Sequence, residues 1–235
     1  MTDSPTALVI APHPDDEVLG AGATIARLAD AGFGVTVVAM CSDLPPLYPA
    51  DVAPTVEAEA RRAHALLGVE ESVFLDLPSV EVSVGSVAAL NGGLQEVVDR
   101  VRPSIVLAPF PDRHVDHKAA FEASMVVTRP RGTGLGMAVV AMYETVSETY
   151  WNAPGAEPQF VPSWNVDVTE TIDRKIEAFG VYESQHQPFP GPRSVEALRA
   201  LALFRGSQAG MEHAESFQIV RMSTGRTAQA LRAIG

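Results

Sequence analysis

The 235-residue chain is short of several things that would have pointed away from an ordinary globular domain. It has one cysteine, Cys41, which rules out an intramolecular disulfide framework and suits a reducing cytoplasm. Basic residues are scarce: 17 Lys and Arg stand against 29 Asp and Glu, a formal net charge of −12. Phosphate-backbone binding needs clustered Lys and Arg to release counterions, so this balance argues against a nucleic-acid partner. Long apolar runs are missing as well. Residues 1–6 carry no positive segment, and the first apolar run spans only residues 7–11, too short for a signal-peptide core or a membrane span. There is no internal repeat and no low-complexity tract. With 46% hydrophobic and 20% charged residues the composition is that of a folded protein, not a disordered one. A chain of this length buries about 70–75% of its unfolded surface, and a single domain over residues 1–235 is the expectation.

The pattern that is present alternates strands with helices. Residues 7–11 (Ala-Leu-Val-Ile-Ala) and 35–40 (Val-Thr-Val-Val-Ala-Met) are short, apolar on both faces and β-branched. Between them residues 17–31 carry Leu19, Ala23, Ile25 and Leu28 at helical spacing, closed by Gly32 and Gly34. This is a βαβ unit, so its strands should be parallel with a right-handed crossover. Residues 42–54 hold four prolines and read as a loop. A helix over 56–67 ending at Gly68, a strand over 73–77, a helix over 87–101 ended by Pro103, and a buried strand over 104–108 follow. A helix from about 114–116 to 127, a strand over 138–143, a short strand at Val166 and Val168, and helices over 169–181 and 194–207 complete the pattern. The polar residues 223–235 fit a terminal helix or a frayed tail equally well. The fold class is α/β, a Rossmann-like, mostly parallel sheet with helices on both faces.

Ligands of such sheets bind outside the carboxyl ends of the strands. Two polar clusters fall there: Pro12-His13-Pro14-Asp15-Asp16-Glu17 after the first strand, and Asp112-Arg113-His114-Val115-Asp116-His117 after the strand 104–108. Together they offer three histidines and several carboxylates, a donor set suited to a zinc-type cation with one position left for water. Water bound there ionises near pH ~7, giving hydroxide under mild conditions. His13 and Asp16 are three residues apart, as are His114 and His117, a spacing that lets each pair converge. Asp15 and Asp16 are adjacent and point apart, so one can bind metal while the other moves protons. Alone, the first cluster is equally well explained as a helix N-cap with acids in the first turn. A lone His-x-x-His is weaker still. Their joint occurrence after two strands favours a metal site, because buried carboxylates without a cation are costly.

His13-Pro-Asp-Asp-Glu17 after a strand, followed by His114-x-Asp-His117, resembles the LmbE-like or PIG-L family of zinc-dependent N-deacetylases, which includes deacetylases of the mycothiol and bacillithiol pathways. Similarity continues through Glu59–Gly68, through the segment from Lys175 to Tyr182-Glu-Ser-Gln185, and through Arg205-Gly206 and Ala214-Glu-Ser-Phe217. The resemblance implies an LmbE-like fold, with His13, Asp16 and His117 as ligands of Zn²⁺, Fe²⁺ suiting the same set. It implies Asp15 as the general base that returns its proton to the departing amine. His114 would stabilise the tetrahedral oxyanion, an imidazolium being one form of it, with Asp116 orienting or charging it from behind. It further implies a small-molecule N-acyl substrate, a cytoplasmic enzyme, and a homo-oligomer, trimeric or hexameric.

The chain departs from the family pattern at Val56, where many sugar deacetylases carry a substrate-holding arginine; Arg61 and Arg62 are substitutes only if they are not solvated helix residues. His213 replaces a tyrosine of the bacillithiol branch and reads as a tail or interface residue ahead of a pocket one. His64 and His186 have no supporting constellation and read as structural or surface. Cys41 reads as a small buried filler. Gly20-Ala-Gly22 does not fit G-x-G-x-x-G and reads as close helix–sheet packing. Three functions follow in order: deacetylation of an N-acetyl amino sugar, cleavage of a larger amide in a thiol conjugate or natural-product intermediate, and a non-catalytic nucleotide- or metal-binding domain.

Overall fold

The computed structural model describes residues 4–82 and 85–223. Its centre is built from the two apolar runs that open the chain. They form β1 (Thr6–Ala11) and β2 (Gly34–Ser42), which pair in parallel with Val9 beside Val37. On the far side of β2 lies β3 (Glu71–Pro78), and on the far side of β1 lies β4 (Ile105–Pro109), followed by β5 (Val139–Tyr143), all parallel. The seven-stranded sheet has the order β3-β2-β1-β4-β5-β7-β6.

Alternation along the strands divides the core into two layers. Ala7, Val9, Val35, Val37, Ile105 and Leu107 face one layer, where they meet α1 (Asp16–Asp30), α2 (Val52–Leu67) and α5 (Ile172–Gly180) through Leu19, Ile25, Ala60, Ala63 and Phe179. Leu8, Ile10, Val38, Met40, Val106 and Val140 face the other, against Leu94 and Val98 of α3 (Val87–Val101) and Ala120 and Ala123 of α4 (Val115–Val127). The crossovers after β1 and β4 thus lie on opposite faces, and the sheet's direction of growth reverses between these two strands.

Several boundaries differ from the sequence reading. The helix expected at 56–67 begins four residues earlier, at Val52: Pro54 falls in its first turn, where a missing N–H costs nothing. The loop expected over 42–54 shrinks accordingly. Gly68 ends α2 in the left-handed conformation, φ 78°, as its type suggests. The helix expected over 169–181 is confined to Ile172–Gly180, because Thr169 bonds back to Asp167 in a local turn. The short strand at Val166 is β6 (Trp164–Asp167), and the last helix is α6 (Val195–Ala209). One strand escaped the sequence reading altogether: β7 (Ala214–Met222) runs antiparallel between β5 and β6. Its Glu215, Ser216, Gln218 and Arg221 break the apolar run that marks the other central strands. Of the terminal residues 223–235, all but Ser223 lie outside the described residues.

A buried ion pair fixes β7 to the first helix. Lys175 of α5 and Glu215 of β7, each about 4% exposed, meet at 2.6 Å. Glu215 accepts from the Ala23 and Thr24 N–H groups at 3.1 and 2.7 Å, and Lys175 donates to the Leu19 carbonyl at 2.8 Å. The Leu19 carbonyl and the Ala23 N–H are one rung of the α1 ladder, so the pair docks onto the helix backbone itself. Gly20 permits the accompanying close approach: a Cβ there would lie 2.1 Å from Tyr143 Cδ2 and 2.8 Å from the Glu144 carbonyl. Gly92, exposed on α3, has nothing within 4 Å of an added Cβ. Gly20→Ala should therefore lower unfolding stability by about 1–3 kcal/mol. Gly92→Ala should raise it by about 0.5–1 kcal/mol, both read from urea midpoints at constant m.

Candidate active site

The reversal between β1 and β4 opens a crevice at their carboxyl ends. Both polar clusters of the sequence emerge into it, which is why residues a hundred positions apart become neighbours. β1 ends at Ala11 and delivers His13, Asp15 and Asp16 into the first turn of α1; β4 ends at Pro109 and delivers Asp112, His114, Asp116 and His117 around the start of α4.

Asp16 Oδ2 is the meeting point. It lies 3.2 Å from His13 Nδ1 and 3.2 Å from His117 Nε2, and it also accepts the His13 backbone N–H at 3.0 Å. Its other oxygen, Oδ1, is buried with no hydrogen-bond partner. Two groupings among the described residues bring all their donor atoms close enough to one another to share a cation, the His13, His114 and His117 rings, and His13 with Cys41 and Asp116; the expected set of His13, Asp16 and His117 meets pairwise at Asp16 Oδ2 and is not one of them. The outer faces of the imidazoles are held by carboxylates. His117 Nδ1 meets Asp112 Oδ2 at 2.9 Å, and His13 Nε2 meets Asp116 Oδ2 at 2.9 Å. The carboxylate behind a liganding histidine fixes ring orientation and tautomer.

The Asp116 side chain is thus placed differently from the reading in which it backs His114. Its Oδ2 is 4.0 Å from His114 Nδ1 but accepts the Val80 N–H at 2.7 Å and contacts His13. What His114 Nδ1 receives is the backbone N–H of Asp116, at 3.2 Å, as the N-cap of α4. With Nδ1 an acceptor, the ring proton belongs on Nε2.

Asp15 also departs from the bland alternative. It occupies the N-cap position of α1 but makes no capping bond there. Its φ of 143° is a conformation side-chain-bearing residues rarely adopt, held by a bond from its own N–H to Glu17 Oε2 at 3.1 Å. Its Oδ2 is buried without a hydrogen-bond partner and stands 3.5 Å from Arg193 Nη1.

The electrostatics follow from crowding carboxylates in a buried crevice. Burial pushes Asp15 up to about 8 against the opposing charge of Arg193. Burial works against a charged Asp16 too, but the His117 and His13 contacts outweigh it and hold Asp16 well below the usual carboxylate range. His13 rises to about 9 and His117 to about 10: burial lowers both, and the neighbouring carboxylates overcome it. His114, which lacks such contacts, falls to about 4 through burial and the two nearby imidazoles. The crevice therefore demands positive charge at His13, Asp16 and His117.

A cavity of about 190 Å³ opens above these groups, lined by His13, Asp15 and His114 at its base. Ser42 at the end of β2, Asp43 and Tyr48 from the loop that follows, Val56 and Glu57 of α2, Phe74 of β3, and Gln185 and Arg193 form its walls. Asp112, Gln185 and Arg193 had no assigned role in the sequence reading. Asp112 was signalled by its place two residues before a helix cap, whose N–H it accepts at 3.0 Å. Arg193 carried no local signal. Cys41, 1% exposed, is the filler expected of it, and burial pushes its thiol far up. Arg61 pairs with Glu57 at 2.7 Å on the exposed side of α2, and Arg62 is exposed. Gly20 and Gly22 pack closely, as expected. His213 and His186 lie outside the cavity lining.

His64 is structural, with a specific task. Its Nε2 meets Glu17 Oε1 at 3.0 Å and its Nδ1 meets Ser72 Oγ at 2.7 Å, while the Tyr182 hydroxyl donates to the same Glu17 oxygen at 2.8 Å. Glu17 is fully buried and is the group that holds the strained Asp15 backbone. Glu59 performs a parallel task, accepting the N–H and hydroxyl of Ser184. Glu17→Leu should strand His64, Tyr182 and the Asp15 N–H together, and lower unfolding stability by about 3–5 kcal/mol in urea titration.

Residues 8–128 match the family described as PIG-L, GlcNAc-PI de-N-acetylase. A diacetylchitobiose deacetylase of Thermococcus kodakarensis is 26% identical over 231 residues, covering 93% of this chain and 84% of its own. Among solved structures, a conserved protein of Thermus thermophilus superposes with a TM-score of 0.72 at 28% identity, over 93% of this chain and 94% of that one. Teicoplanin deacetylase Orf2, solved in a zinc-inhibited form, shares the fold with a TM-score of 0.74 at 20% identity, over 93% and 99%. The family match spans more than half of the chain and contains both histidine–aspartate clusters, and the protein belongs to the PIG-L, or LmbE-like, family.

Proposed function

We propose that the protein is a metal-dependent hydrolase that cleaves an amide C–N bond, removing the acetyl group from an N-acetyl amino sugar or a related small molecule. The observation that carries this is the convergence of His13 Nδ1, Asp16 Oδ2 and His117 Nε2 beside a buried Asp15 carboxylate at the base of a cavity. The donor chemistry fits a divalent cation. Asp16 Oδ1 and Asp116 Oδ1 are buried and unpartnered, and two imidazoles are pinned from behind by carboxylates. His13, Asp16 and His117 would hold the ion, with zinc the first choice and iron(II) the second. When bound, such an ion supplies Lewis acidity, easing ionisation of water and polarising the acyl carbonyl.

The remaining work falls to the chain's own groups. Asp15 Oδ2 accepts a proton from the attacking water and delivers it to the nitrogen as the C–N bond breaks, so that amide and water give carboxylic acid and amine, which pass on one proton between them and leave as carboxylate and ammonium. Its buried position, opposed by Arg193, suits a group that must first take a proton and then release it. His114 Nε2–H donates to the carbonyl oxygen as charge develops there, its ring fixed by the Asp116 N–H. Asp112 holds His117 and Asp116 holds His13, keeping both rings aimed inward.

A second reading keeps this chemistry but enlarges the substrate to a thiol conjugate or a natural-product intermediate. It is favoured by the apolar wall at Val56 and Phe74, where a sugar-specific site would place polar groups. Structural neighbours named as deacetylases of diacetylchitobiose and of teicoplanin both share this fold.

Elemental analysis should find about one zinc or iron per chain, and amine release should occur on N-acetylglucosamine glycosides or on an N-acetylcysteine-containing thiol conjugate. Asp15→Ala should keep the metal and lose activity by about 10²–10⁴-fold. A chain that binds no metal under any reconstitution, or an Asp15→Ala variant as active as the parent, would sink the catalytic reading. The ligand set has its own check: His114→Gln should retain metal and Asp16→Asn should lose it. The reverse pattern would assign the ion to the three histidines instead.

A further inference from the structure

The two walls of the cavity differ in chemistry, and the difference singles out Arg193. The wall formed by α2 and β3 presents Ala53, Val56 and Phe74, and its Glu57 is engaged by Arg61 on the exposed side. The opposite wall, from residues 182–194, presents Gln185 and Arg193. Arg193 is well anchored there. Its Nη1 donates to Gln185 Oε1 at 2.8 Å, its Nε reaches Ser147 Oγ at 3.4 Å, and its carbonyl accepts the Gln187 N–H at 2.9 Å. The segment is itself tied down by Ser184 to Glu59 and by Tyr182 to Glu17.

A guanidinium has five N–H donors in a rigid fork. Among the described residues Arg193 Nη2 has no hydrogen-bond partner, and the side chain is 23% exposed on the cavity side. Across from it Asp15 Oδ2 is a buried acceptor with no hydrogen bond, 3.5 Å from Nη1. A guanidinium with a free Nη2 and a carboxylate with a free Oδ2 thus line the same cavity, 3.5 Å apart at Nη1. The ligand group that completes both is one with an acceptor and a donor of its own, an amide or a sugar hydroxyl.

We infer that Arg193 is a substrate-binding residue that holds an acyl or hydroxyl oxygen of the substrate beside Asp15, supplying from the 182–194 segment the cationic donor that α2 lacks at Val56. The inference rests on the deacetylase reading for its substrate class, and its test reads binding apart from turnover. The probe is the methyl glycoside of N-acetylglucosamine with metal-loaded protein, its Kd taken by calorimetry and kcat and KM by amine release. Arg193→Ala should weaken Kd and raise KM by about 10–100-fold with metal content unchanged, the loss expected for a hydrogen bond to a charged group. Arg193→Lys, which keeps the charge but loses the fork, should recover only part. Adding Val56→Arg to Arg193→Ala should recover part as well, since a new cation on the facing wall reaches the same cavity. If Arg193→Ala does not fold, Arg193→Gln carries the same comparison.

Unchanged Kd and KM in the Arg193 variant would overturn the inference, as would a loss confined to kcat, which would make Arg193 a positioning residue acting through Asp15. Absence of binding to the parent protein would overturn it too. Binding that follows the expected order without hydrolysis would overturn the deacetylase reading while leaving Arg193 as a ligand-binding residue.

Discussion

Four carboxylates, Asp15, Asp16, Asp112 and Asp116, lie buried within one crevice, and their mutual repulsion is the constraint around which the rest is arranged. Buried like charges are tolerable only where positive charge or dense hydrogen bonding meets them. Each has a different answer. Asp112 and Asp116 take imidazoles and backbone N–H groups, Asp16 takes two imidazoles at once, and Asp15 is left with the more distant Arg193. The unequal settlement matters for chemistry: their contacts hold Asp16 and Asp116 below the usual carboxylate range and Asp112 fixes the His117 ring, while Asp15 keeps a free oxygen and a raised proton affinity. The proposed cation at His13, Asp16 and His117 would complete the compensation.

Holding that crevice open is the work of groups far from it in sequence. The islands of family resemblance, scattered from Glu59 to Phe217, turn out to be partners. Glu17 binds Tyr182, Glu59 binds Ser184, Lys175 binds Glu215, and Arg205 binds Glu144 through two nitrogens. The first two join α1 and α2 to the 182–184 segment, the third joins α5 to β7, and the fourth joins α6 to the residue after β5. Lys175 and Glu215 dock onto the middle of α1, directly behind the turn that carries Asp15 and Asp16. A buried ion pair is a weak contributor to net stability but a strong penalty on wrong arrangements, since either charge alone would be stranded. In this fold it specifies where β7 goes, a matter the apolar pattern of β7 leaves undetermined.

That division also explains which features can be read from the sequence. The parallel strands and their helices were legible because continuous apolar runs and helical stripes report burial directly. The two site clusters were legible because strand ends in such sheets are where ligands bind, and their joint occurrence after two strands outweighs the helix-cap explanation open to the first alone. β7 was not, because its polar residues answer to Lys175, Asn165 and the helix backbone, none of which adjoins it in sequence. Pro54 misled because a residue that forbids a helix interior is welcome in a first turn. Arg193 was illegible for the same reason as β7: its meaning lies in Asp15 and Gln185, and no spacing relates them.

The arrangement separates what the enzyme does from what it acts upon. The groups that would bind metal and move protons sit on strand ends and first helical turns, tied to the sheet and backed by carboxylates, positions with little freedom to vary. The groups that would choose a substrate sit on the loop after β2, on α2 and on the 182–194 segment, which line the cavity without belonging to the two strand-end clusters. Under the proposed reading, an exchange at Val56 would leave the metal ligands untouched, and Arg193 on another wall of the same cavity would supply the cationic contact that α2 lacks. The chemistry of the walls, more than that of the strand-end clusters, would then set the substrate of this chain.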